Sequence, residues 1–559
     1  MSEKLKRFFF SNAGLWLIFI VWTLFVSNFW LPRNWGFYGT DDWDLTYTTY
    51  EVARKSIIEF GQWPSYNPYC AFGSDLDANP QATHASIFFI PILLFGTFYG
   101  YKLSVLLAML MGCWGAYKLF KSMQPDPLIS LSTTLVFVGC SFFSRHVFQA
   151  GHSNMLYFYL LPWLAYFLNR LRINGTPADI FWPVLILTQS LTGGAPFIFI
   201  VFVLFMGLWS IGILWIEKGN YRTVLLFAWI VLLSIGLSAW KIWPTIDYWE
   251  YLPRLVRDHS GINLLIWLQA LSDYETDTRT AHLWHEFSMG FSFVLLAITL
   301  YFFKNIPNGR KWLILFLVVF WLSLGNMPPY VNPWYVLNHY VPVFTSLRAP
   351  YRFGLLIVFL LCVAFIRSAK FGKDNRLIYF ILVAIVFSTA LKYNSITKKI
   401  IGSPRLEDLR DFPSRSKHDP LPVSLSAKER LLQYIFIKNN HLINNAYEPL
   451  SLMYVGDTLT TFVSNAKLLD FSPNRFTIRT KDSGDVLIAL RFNKNWQLHG
   501  QGKLVNRNGL IGIEHGKGDI ELAYYNPVFR KGLIISGIFS VILIVSLLVF
   551  ARKRKLSQA

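Results

Sequence analysis

The chain has 559 residues and a formal net charge of +20 at pH 7. Hydrophobic residues make up 53% of it and charged residues only 15%, whereas soluble domains carry about 25% charged residues. Apolar runs of about 18 or more residues recur along the chain, and runs of that length cross a hydrocarbon core as helices. The composition therefore excludes an ordinary soluble protein and predicts a polytopic membrane protein.

The positive charge lies mostly in short loops at the ends of the apolar runs. Basic residues flank the first and the last run: Lys4, Lys6, Arg7, Arg552, Lys553, Arg554 and Lys555. The positive-inside rule then predicts that both termini are cytoplasmic, so that the number of crossings is even. No nucleic-acid partner is expected, because this placement accounts for most of the excess charge.

In chain order, the apolar runs predict about twelve transmembrane helices. After a first helix over Ala13–Leu31, an outside loop runs over 32–84, and the apolar stretch Ala85–Phe98 is expected along the outer interface. The further predicted crossings are Tyr101–Phe120, Leu128–Phe143, Met155–Leu168, Ile180–Leu191, Pro196–Ile216, Val224–Trp243, Phe291–Phe303, Trp312–Leu324, Gly354–Ile366, Leu377–Leu391 and Leu533–Phe550. Residues 1–391 are thus expected to form a multi-helix membrane domain.

From residue 392 the composition becomes polar, and a segment of this length can be translocated despite its own positive charge. Residues 392–469 are expected to be an extracytoplasmic linker of mixed structure, and 470–528 a small extracytoplasmic β-rich domain. Three stretches there alternate with period two: Phe476–Thr480, Val486–Phe492 and Ile520–Tyr525. Asn508-Gly509 is a tight-hairpin signal. Residues 529–559 supply the final membrane helix and a basic cytoplasmic tail.

Polar residues gather in the outside loops, while the apolar runs almost lack acidic residues. An ion-coupled pump would be expected to place several ionisable groups within the membrane. The first outside loop is the richest, with Asp41, Asp42, Asp44, Asp75 and Asp77. Adjacent carboxylates after a helix could act as a general base or hold a cation. The alternative is a solvated turn in which one carboxylate caps the next helix.

Loop motifs add a family resemblance. The segments Asp41-Asp42-Trp43-Asp44, Trp63-Pro64-x-x-Asn67-Pro68-Tyr69 and Ala78-Asn79-Pro80-Gln81 resemble the first outside loop of bacterial GT-C superfamily glycosyltransferases, especially the YfhO-like group. Later motifs follow in the same order: Ala150-Gly151-His152, Leu161-Pro162-Trp163, Leu191-Thr192-Gly193-Gly194, Tyr251-Leu252-Pro253-Arg254, Trp284-His285-Glu286, Leu347-Arg348-Ala349-Pro350-Tyr351-Arg352 and Tyr524-Tyr525-Asn526-Pro527. The similarity spans nearly the whole chain.

The resemblance implies a transferase in the bacterial inner (plasma) membrane with its site on the extracytoplasmic face. Such an enzyme takes a sugar from a polyprenyl-phosphate donor and passes it to a glycan, lipid or protein acceptor. An acidic residue of the first outside loop serves as catalytic base, which by position is Asp41 or Asp42. That carboxylate would accept the proton of the acceptor hydroxyl as it attacks the anomeric carbon.

The departing phosphate needs positive charge. Arg348 and Arg352 lie four residues apart at the mouth of a helix, and guanidinium groups bind phosphate bidentately. His152 could orient the same phosphate, and Arg254 could also contact the substrate. For the arginines the alternative is contact with lipid headgroups, and for His152 it is an ordinary interfacial position.

The remaining candidates are a possible second acid and a possible cation site. Glu286 precedes an inward helix, so it could be a further acidic site residue or only a helix cap. Asp75, Asp77 and His84 could join the first carboxylate pair around a cation, although no recognised ligand spacing is present. No cofactor is certain, and a divalent metal stays an open alternative. So do a flippase for lipid-linked sugars and a non-catalytic envelope assembly protein.

Overall fold

The computed structural model describes the greater part of the chain, and its helices dominate. The described residues are 9–28, 36–39, 41–248, 261–274, 284–325, 333–341, 344, 347, 349–369, 376–398, 404–405, 414–425, 432–444 and 461–558. Two of the candidate residues, Arg254 and Arg348, lie outside the described residues.

The helices occur at the positions that the apolar runs predict, with short ones between them. In chain order they are α1 Asn12–Ser27, α2 Trp43–Ile58, α3 Ile90–Phe95, α4 Thr97–Met123, α5 Pro127–Val138, α6 Leu161–Asn174, α7 Pro177–Thr192, α8 Pro196–Ile211, α9 Tyr221–Leu237, α10 Ala239–Asp247, α11 Leu264–Ser272, α12 Trp284–Phe287, α13 Phe293–Tyr301, α14 Gly309–Ser323, α15 Pro333–Tyr340, α16 Gly354–Ser368, α17 Arg376–Thr397, α18 Gln433–Lys438 and α19 Pro527–Gln558. Short helical turns adjoin several of them: Ile87–Phe89, Ser141–Phe143, Ser144–Gln149, Ser153–Leu160, Gly212–Ile216, Phe303–Asn305 and Pro350–Phe353.

Prolines and capping side chains set many helix starts. Pro127 occupies the first position of α5, and the Asp126 carboxylate accepts the next free N–H groups of that helix. Thr176 and Asp179 form a capping box at the start of α7. The first N–H groups of a helix have no partner within the helix. A proline therefore costs little there, and a capping side chain supplies the missing hydrogen-bond acceptor.

Six helices, counted with the turns that extend them, are long and apolar enough to cross a membrane: Thr97–Met123, Pro127–Gln149, Pro196–Ile216, Pro350–Ser368, Arg376–Thr397 and Pro527–Arg552. The helices α9 and α10 add a seventh if that pair, bent by 66°, is one span. The described residues therefore support a membrane protein. A helix lies at each of the twelve predicted crossings, but the count of about twelve spans is not confirmed.

The β-rich region that the sequence predicts before the last helix is present. Its strands, with those of two smaller pairings, are β1 Tyr66–Asn67, β2 Ser74–Asp75, β3 Leu421–Val423, β4 His441–Ile443, β5 Val463–Ser464, β6 Lys467–Ser472, β7 Arg475–Arg491, β8 Trp496–Arg507 and β9 Leu510–Tyr524. One antiparallel sheet has the order β5-β7-β9-β8, with β6 also paired to β7. Asn508 and Gly509 connect β8 to β9 with φ of 54° and 89°, as a tight hairpin turn requires.

The sheet packs on the first predicted outside loop. The ring of Tyr66 lies 5.0 Å from that of Trp496 and 4.9 Å from that of Tyr524. The Asn474 side-chain amide donates to the Trp63 carbonyl oxygen at 2.6 Å. Tyr66, Trp496 and Tyr524 belong to one apolar core that is separate from the core of the helices, so this loop and the sheet form a single packed unit.

The basic loops meet at one end of the helical bundle. Arg172 pairs with Glu217 there, and Asn305 donates to the carbonyl oxygen of Ser368 at 3.1 Å. Gln124, which follows α4, bonds to the carbonyl oxygen of Ala369, which follows α16. The opposite ends of α4 and α16 therefore lie at the other end of the bundle, together with the first loop.

Candidate functional site

The start of α2 is bonded to the segment that follows the helical turn Ser144–Gln149. The Trp43 indole N–H donates to the carbonyl oxygen of Phe148 at 2.9 Å. The backbone N–H of Asp42 donates to the carbonyl oxygen of Ala150 at 3.0 Å. These bonds join residues more than a hundred positions apart, and they fix the first predicted outside loop against the loop that carries His152.

Gly151 allows this close approach. Its φ is +75°, and a Cβ at that position would lie 2.8 Å from both the ring and the backbone nitrogen of Trp43. Few residues other than glycine adopt such a φ, and none with a Cβ fits without displacing Trp43. The next residue, His152, is therefore held beside the N-terminus of α2.

A hydrogen-bonded row of three side chains results. His152 Nε2 lies 3.2 Å from Asp42 Oδ2, and His152 Nδ1 lies 3.0 Å from His146 Nδ1. Since one nitrogen of the second contact must donate and the other accept, the tautomers of the two rings are coupled. His146 is fully buried, and within the described part of the chain its Nε2 has no hydrogen-bond partner. The row thus runs from a partly open carboxylate into the protein interior.

The electrostatics keep Asp42 ionised. Burial by itself would raise the pKa of the Asp42 carboxyl, but the hydrogen bond and the electrostatic attraction of His152 hold that pKa below its usual value. The Asp42 side chain is 37% exposed, which leaves it accessible to a small substrate group. Asp41 is more exposed and has a positive φ of 49°.

A buried ion pair adjoins this row. Arg352 donates from Nε to Glu286 Oε2 at 2.7 Å, and its Nη2 bonds the other carboxylate oxygen. Glu286 is almost fully buried. Burial favours its neutral form, but the charge and hydrogen bonds of Arg352 hold the pKa of Glu286 well below its usual range. A guanidinium has five N–H donors, so Arg352 keeps donors for an anion.

His285 brings the two groups together. Its ring centroid lies 5.5 Å from that of His152, and it directly precedes Glu286. Burial lowers the pKa of His285 to about 4, so its imidazole is neutral near pH 7. One ligand atom from each of His152, His285 and Glu286 lies within 4.8 Å of the other two. Two imidazoles and a carboxylate at that spacing could hold a metal ion.

The short helix α12 is held in place from behind. Its first residue, Trp284, donates from the indole N–H to Asp273 Oδ1 at 2.7 Å. Arg145 donates to the same oxygen at 3.1 Å. Asp273 ends α11 in a left-handed conformation and is fully buried at its side chain, so it joins α11, the turn that contains Arg145 and the site helix.

Asp44 belongs to a different contact. Its carboxylate accepts the backbone N–H groups of Gln433 and Tyr434, each at 3.0 Å, and the Tyr38 hydroxyl. Asp44 therefore caps the N-terminus of α18. Burial raises the pKa of Asp44 to about 7, against the lowering effect of the two backbone bonds.

Asp75, Asp77 and His84 lie at the junction with the sheet. The Tyr524 hydroxyl donates to Asp75, and the Trp63 indole N–H donates to Asp77 Oδ1 at 3.2 Å. His84 packs its ring edge-on against that of Trp63. Burial raises the pKa of both carboxyls and lowers that of His84. The structure thus divides the described candidates among three places: Asp42, His152, Glu286 and Arg352 at one, Asp44 at the start of α18, and Asp75, Asp77 and His84 at the junction with the sheet.

Two histidines of the cluster were not predicted as site residues. His285 stands in a motif that was recognised only for its acidic neighbour, and His146 lies in an apolar run where a histidine gives no spacing signal. The bond between Asp42 and His152 spans 110 positions, which no local pattern can reveal. The positive φ of Gly151, beside His152, is the local feature that accompanies this contact.

Comparisons with known proteins give a distant likeness. No protein-family model matches the chain, and no curated protein does. A cryo-EM structure of arabinofuranosyltransferase AftD from Mycobacteria is similar at 12% identity and a TM-score of 0.49, over 93% of this chain and 40% of that chain. A mutant form of it gives 13% identity and a TM-score of 0.44, over 93% and 42%.

The chain thus spans about two fifths of the length of those structures. Both carry the name of an arabinofuranosyltransferase. The narrower YfhO-like resemblance stays a prediction. Because TM-scores below 0.5 do not establish a shared fold, the function proposed next rests on the geometry of the site.

Proposed function

We propose that the chain is an integral membrane glycosyltransferase, which moves a sugar from a polyprenyl-phosphate donor to an acceptor at the extracytoplasmic face. The product would be a modified envelope glycan or lipid. The observation that carries the proposal is one group of side chains, here called the Asp42 cluster (Asp42, His146, His152, His285, Glu286 and Arg352), in which a partly exposed carboxylate, oriented by a histidine, adjoins a fixed guanidinium. Displacement of a phosphate by a hydroxyl needs both a base and a cation.

Asp42 is the better candidate for the base. Its Oδ2 is held by His152, and its lowered pKa keeps it ionised at neutral pH. The acceptor hydroxyl would transfer its proton to this carboxylate as its oxygen attacks the anomeric carbon. Asp41 is more exposed to solvent, in a turn where its φ is +49°. A base contributes most when its position is set before the substrate arrives.

Arg352 is the candidate for the phosphate. Glu286 occupies one edge of its guanidinium and so fixes the plane of the group, while the remaining N–H donors can bind oxygens of the leaving phosphate. Glu286 then acts as a positioning residue. Arg348 and Arg254 keep the phosphate and substrate roles that their positions in the sequence suggest.

A cavity suits the lipid part of such a donor. It has a volume of about 420 Å³ and is lined almost entirely by apolar side chains of α8, α11, α13, α14 and α16. Leu271 lines it near the end of α11, two residues before the Asp273 that holds Trp284. The cavity reaches from Leu271 to Arg367 in the last turn of α16, and the proposal places the phosphate of an isoprenoid donor at the Leu271 side.

The positions of the basic loops support the proposed sidedness. The Asp42 cluster lies at the end of the bundle opposite the last turns of α6 and α16, which carry Arg172 and Arg367. Short basic loops remain in the cytoplasm. This supports an extracytoplasmic position for the opposite end of the bundle, which carries the Asp42 cluster and the sheet.

The test compares envelope glycans and lipids, by mass spectrometry, from cells that carry wild-type protein, Asp42→Asn or Asp519→Asn. Asp519 is exposed and pairs with Arg479 on the sheet, so its substitution controls for the loss of one carboxylate. Loss of a general base costs about 10²- to 10⁴-fold in rate. We expect a sugar to be missing only with Asp42→Asn, at an unchanged protein level.

Identical glycans and lipids from all three strains would refute the proposal. A second assay separates transfer from transport: labelled polyprenyl-phosphate sugar is followed in proteoliposomes. Movement of intact lipid across the bilayer, without cleavage, would favour a flippase instead.

A further inference from the structure

We infer that His152, His285 and Glu286 form a binding site for a divalent transition-metal cation, with Zn²⁺ as the preferred ion. The site stands on the geometry of these three side chains. Only its part in the reaction rests on the proposed function, in which the ion would contact the donor phosphate.

The spacing of the ligand atoms fits one shared ion. The three side chains each offer an atom within 4.8 Å of the other two. Ligands of a tetrahedral zinc ion lie about 3.4 Å apart when the metal–ligand bonds are about 2.1 Å long. The ligand atoms must move by at most about one ångström to reach that spacing. Rotation of the two histidine side chains can supply this movement.

The types of donor select the metal. Two imidazoles and one carboxylate form the ligand set of catalytic zinc sites, which keep a fourth position open. Mg²⁺ and Ca²⁺ prefer oxygen ligands, so they are expected to bind weakly here. A catalytic site of this kind would leave its fourth ligand position to an oxygen atom of a substrate.

Outer contacts already orient two of the three ligands. Arg352 grips Glu286 through two hydrogen bonds. His152 has a partner at either ring nitrogen, since Asp42 faces Nε2 and His146 faces Nδ1. Whichever nitrogen takes the ion, the other keeps a hydrogen bond. Metal-bound histidines almost always have such an outer partner, which fixes the tautomer and the ring.

The net charge of the neighbouring side chains indicates what a bound ion would do. The carboxylates of Asp42 and Glu286 together with the guanidinium of Arg352 amount to one negative charge, which repels a phosphate. A bound divalent cation reverses this to one positive charge. Under the proposed function, the ion would therefore stabilise the phosphate as its bond to the sugar breaks.

The experiment measures the metal directly. The full-length protein is purified in detergent, incubated with Zn²⁺, dialysed against metal-free buffer and analysed by inductively coupled plasma mass spectrometry. The variants are His285→Asn and, as a matched control, His515→Asn, because His515 is an exposed residue of the sheet. We expect about one Zn²⁺ per chain in the wild type and the control, and at least tenfold weaker retention in His285→Asn.

Thermal stability gives a second readout that needs no variant. An ion that binds the folded protein raises the apparent Tm, so Zn²⁺ should raise the Tm of the wild type and Mg²⁺ at the same concentration should raise it less. Wild-type protein that keeps no Zn²⁺ and shows no shift would overturn the site, even if His285→Asn failed to fold. So would equal retention of Zn²⁺ by the wild type and a folded His285→Asn.

The transfer assay is kept separate. If the protein binds Zn²⁺ but transfers no sugar, the proposed function fails and the site stands. If chelated protein transfers sugar at the full rate, the site has no part in the reaction and the transferase assignment stands.

Discussion

Replacement of Gly151 by alanine tests whether the contact between two distant loops holds His152 against Asp42. The backbone of Gly151 has a φ of +75°, and an added Cβ would lie 2.8 Å from the ring and from the backbone nitrogen of Trp43. The Trp43 side chain cannot move freely, because it is fully buried and bonded to Phe148. The strain must therefore appear as a movement of one loop relative to the other.

The expected cost has two parts. A residue with a Cβ pays about 1–2 kcal/mol in the left-handed conformation, and an overpacked contact adds about 1–3 kcal/mol. The free energy of unfolding should thus fall by about 2–5 kcal/mol. The catalytic effect should be larger than stability alone explains, because a shift of about 1 Å at a reacting group can reduce the rate roughly 100-fold.

Gly61→Ala is a matched control. Gly61 also has a positive φ, of +61°, but a Cβ there meets nothing within 4 Å. This variant therefore carries the conformational cost without the clash. The assays are the apparent Tm in detergent and the rate of sugar transfer. We expect Gly61→Ala to lose a little stability and no activity, and Gly151→Ala to lose more of both.

Two results would refute this reasoning. If Gly151→Ala and Gly61→Ala had the same Tm, the predicted clash would not exist. If Gly151→Ala were less stable but transferred sugar at the wild-type rate, the contact between Asp42 and His152 would have no part in catalysis.

Two further predictions concern buried carboxylates. Because burial raises the pKa of Asp44 to about 7, above an unfolded value of about 3.9, the folded state binds the extra proton and stability falls as pH rises from 4 to 7. The effect is about 4 kcal/mol at most, and it should be absent in Asp44→Asn; parallel Tm–pH curves for the two proteins would contradict it. Tyr524→Phe removes a donor from buried Asp75 and should destabilise the protein by about 1–3 kcal/mol, as measured by denaturation. Tyr525→Phe is its control, and an equal loss in both would exclude this specific contribution.

The sequence predicts the helices and the sheet because both have local causes. Apolar runs bounded by charge predict a helix at each expected crossing, and the alternation of Phe476–Thr480 with the turn at Asn508-Gly509 predicts the hairpins. The number of spans is harder to predict, since α1, α13 and α14 have 16, 9 and 15 residues, fewer than the roughly 20 of a full crossing. Length and hydropathy alone do not say whether a short helix crosses with its neighbours or ends inside the bundle.

The candidate site is only partly readable from the sequence. Asp42 and Asp44 are two residues apart, and the motif suggests one acidic cluster. A helix turns by about 100° per residue, so once α2 begins at Trp43 the two carboxylates point in nearly opposite directions. Asp42 then meets His152, while Asp44 meets the N-terminus of α18. Neither partner is close in sequence, and a single chain gives no means to pair them.

The two halves of the first loop also limit which experiments can separate catalysis from partner binding. Tyr66 is packed in the core of the sheet, and Asp75 is bonded to Tyr524 there. Asp42, at the other end of the same loop, belongs to the Asp42 cluster. Deletion of the sheet would expose that core and release the loop that carries Asp42. Activity would then be lost whether or not the sheet binds a partner. Charge reversal at Arg479 and Asp519, which form an exposed pair on the sheet, leaves the packed face intact. Only a change of that kind can show whether the sheet has a function of its own.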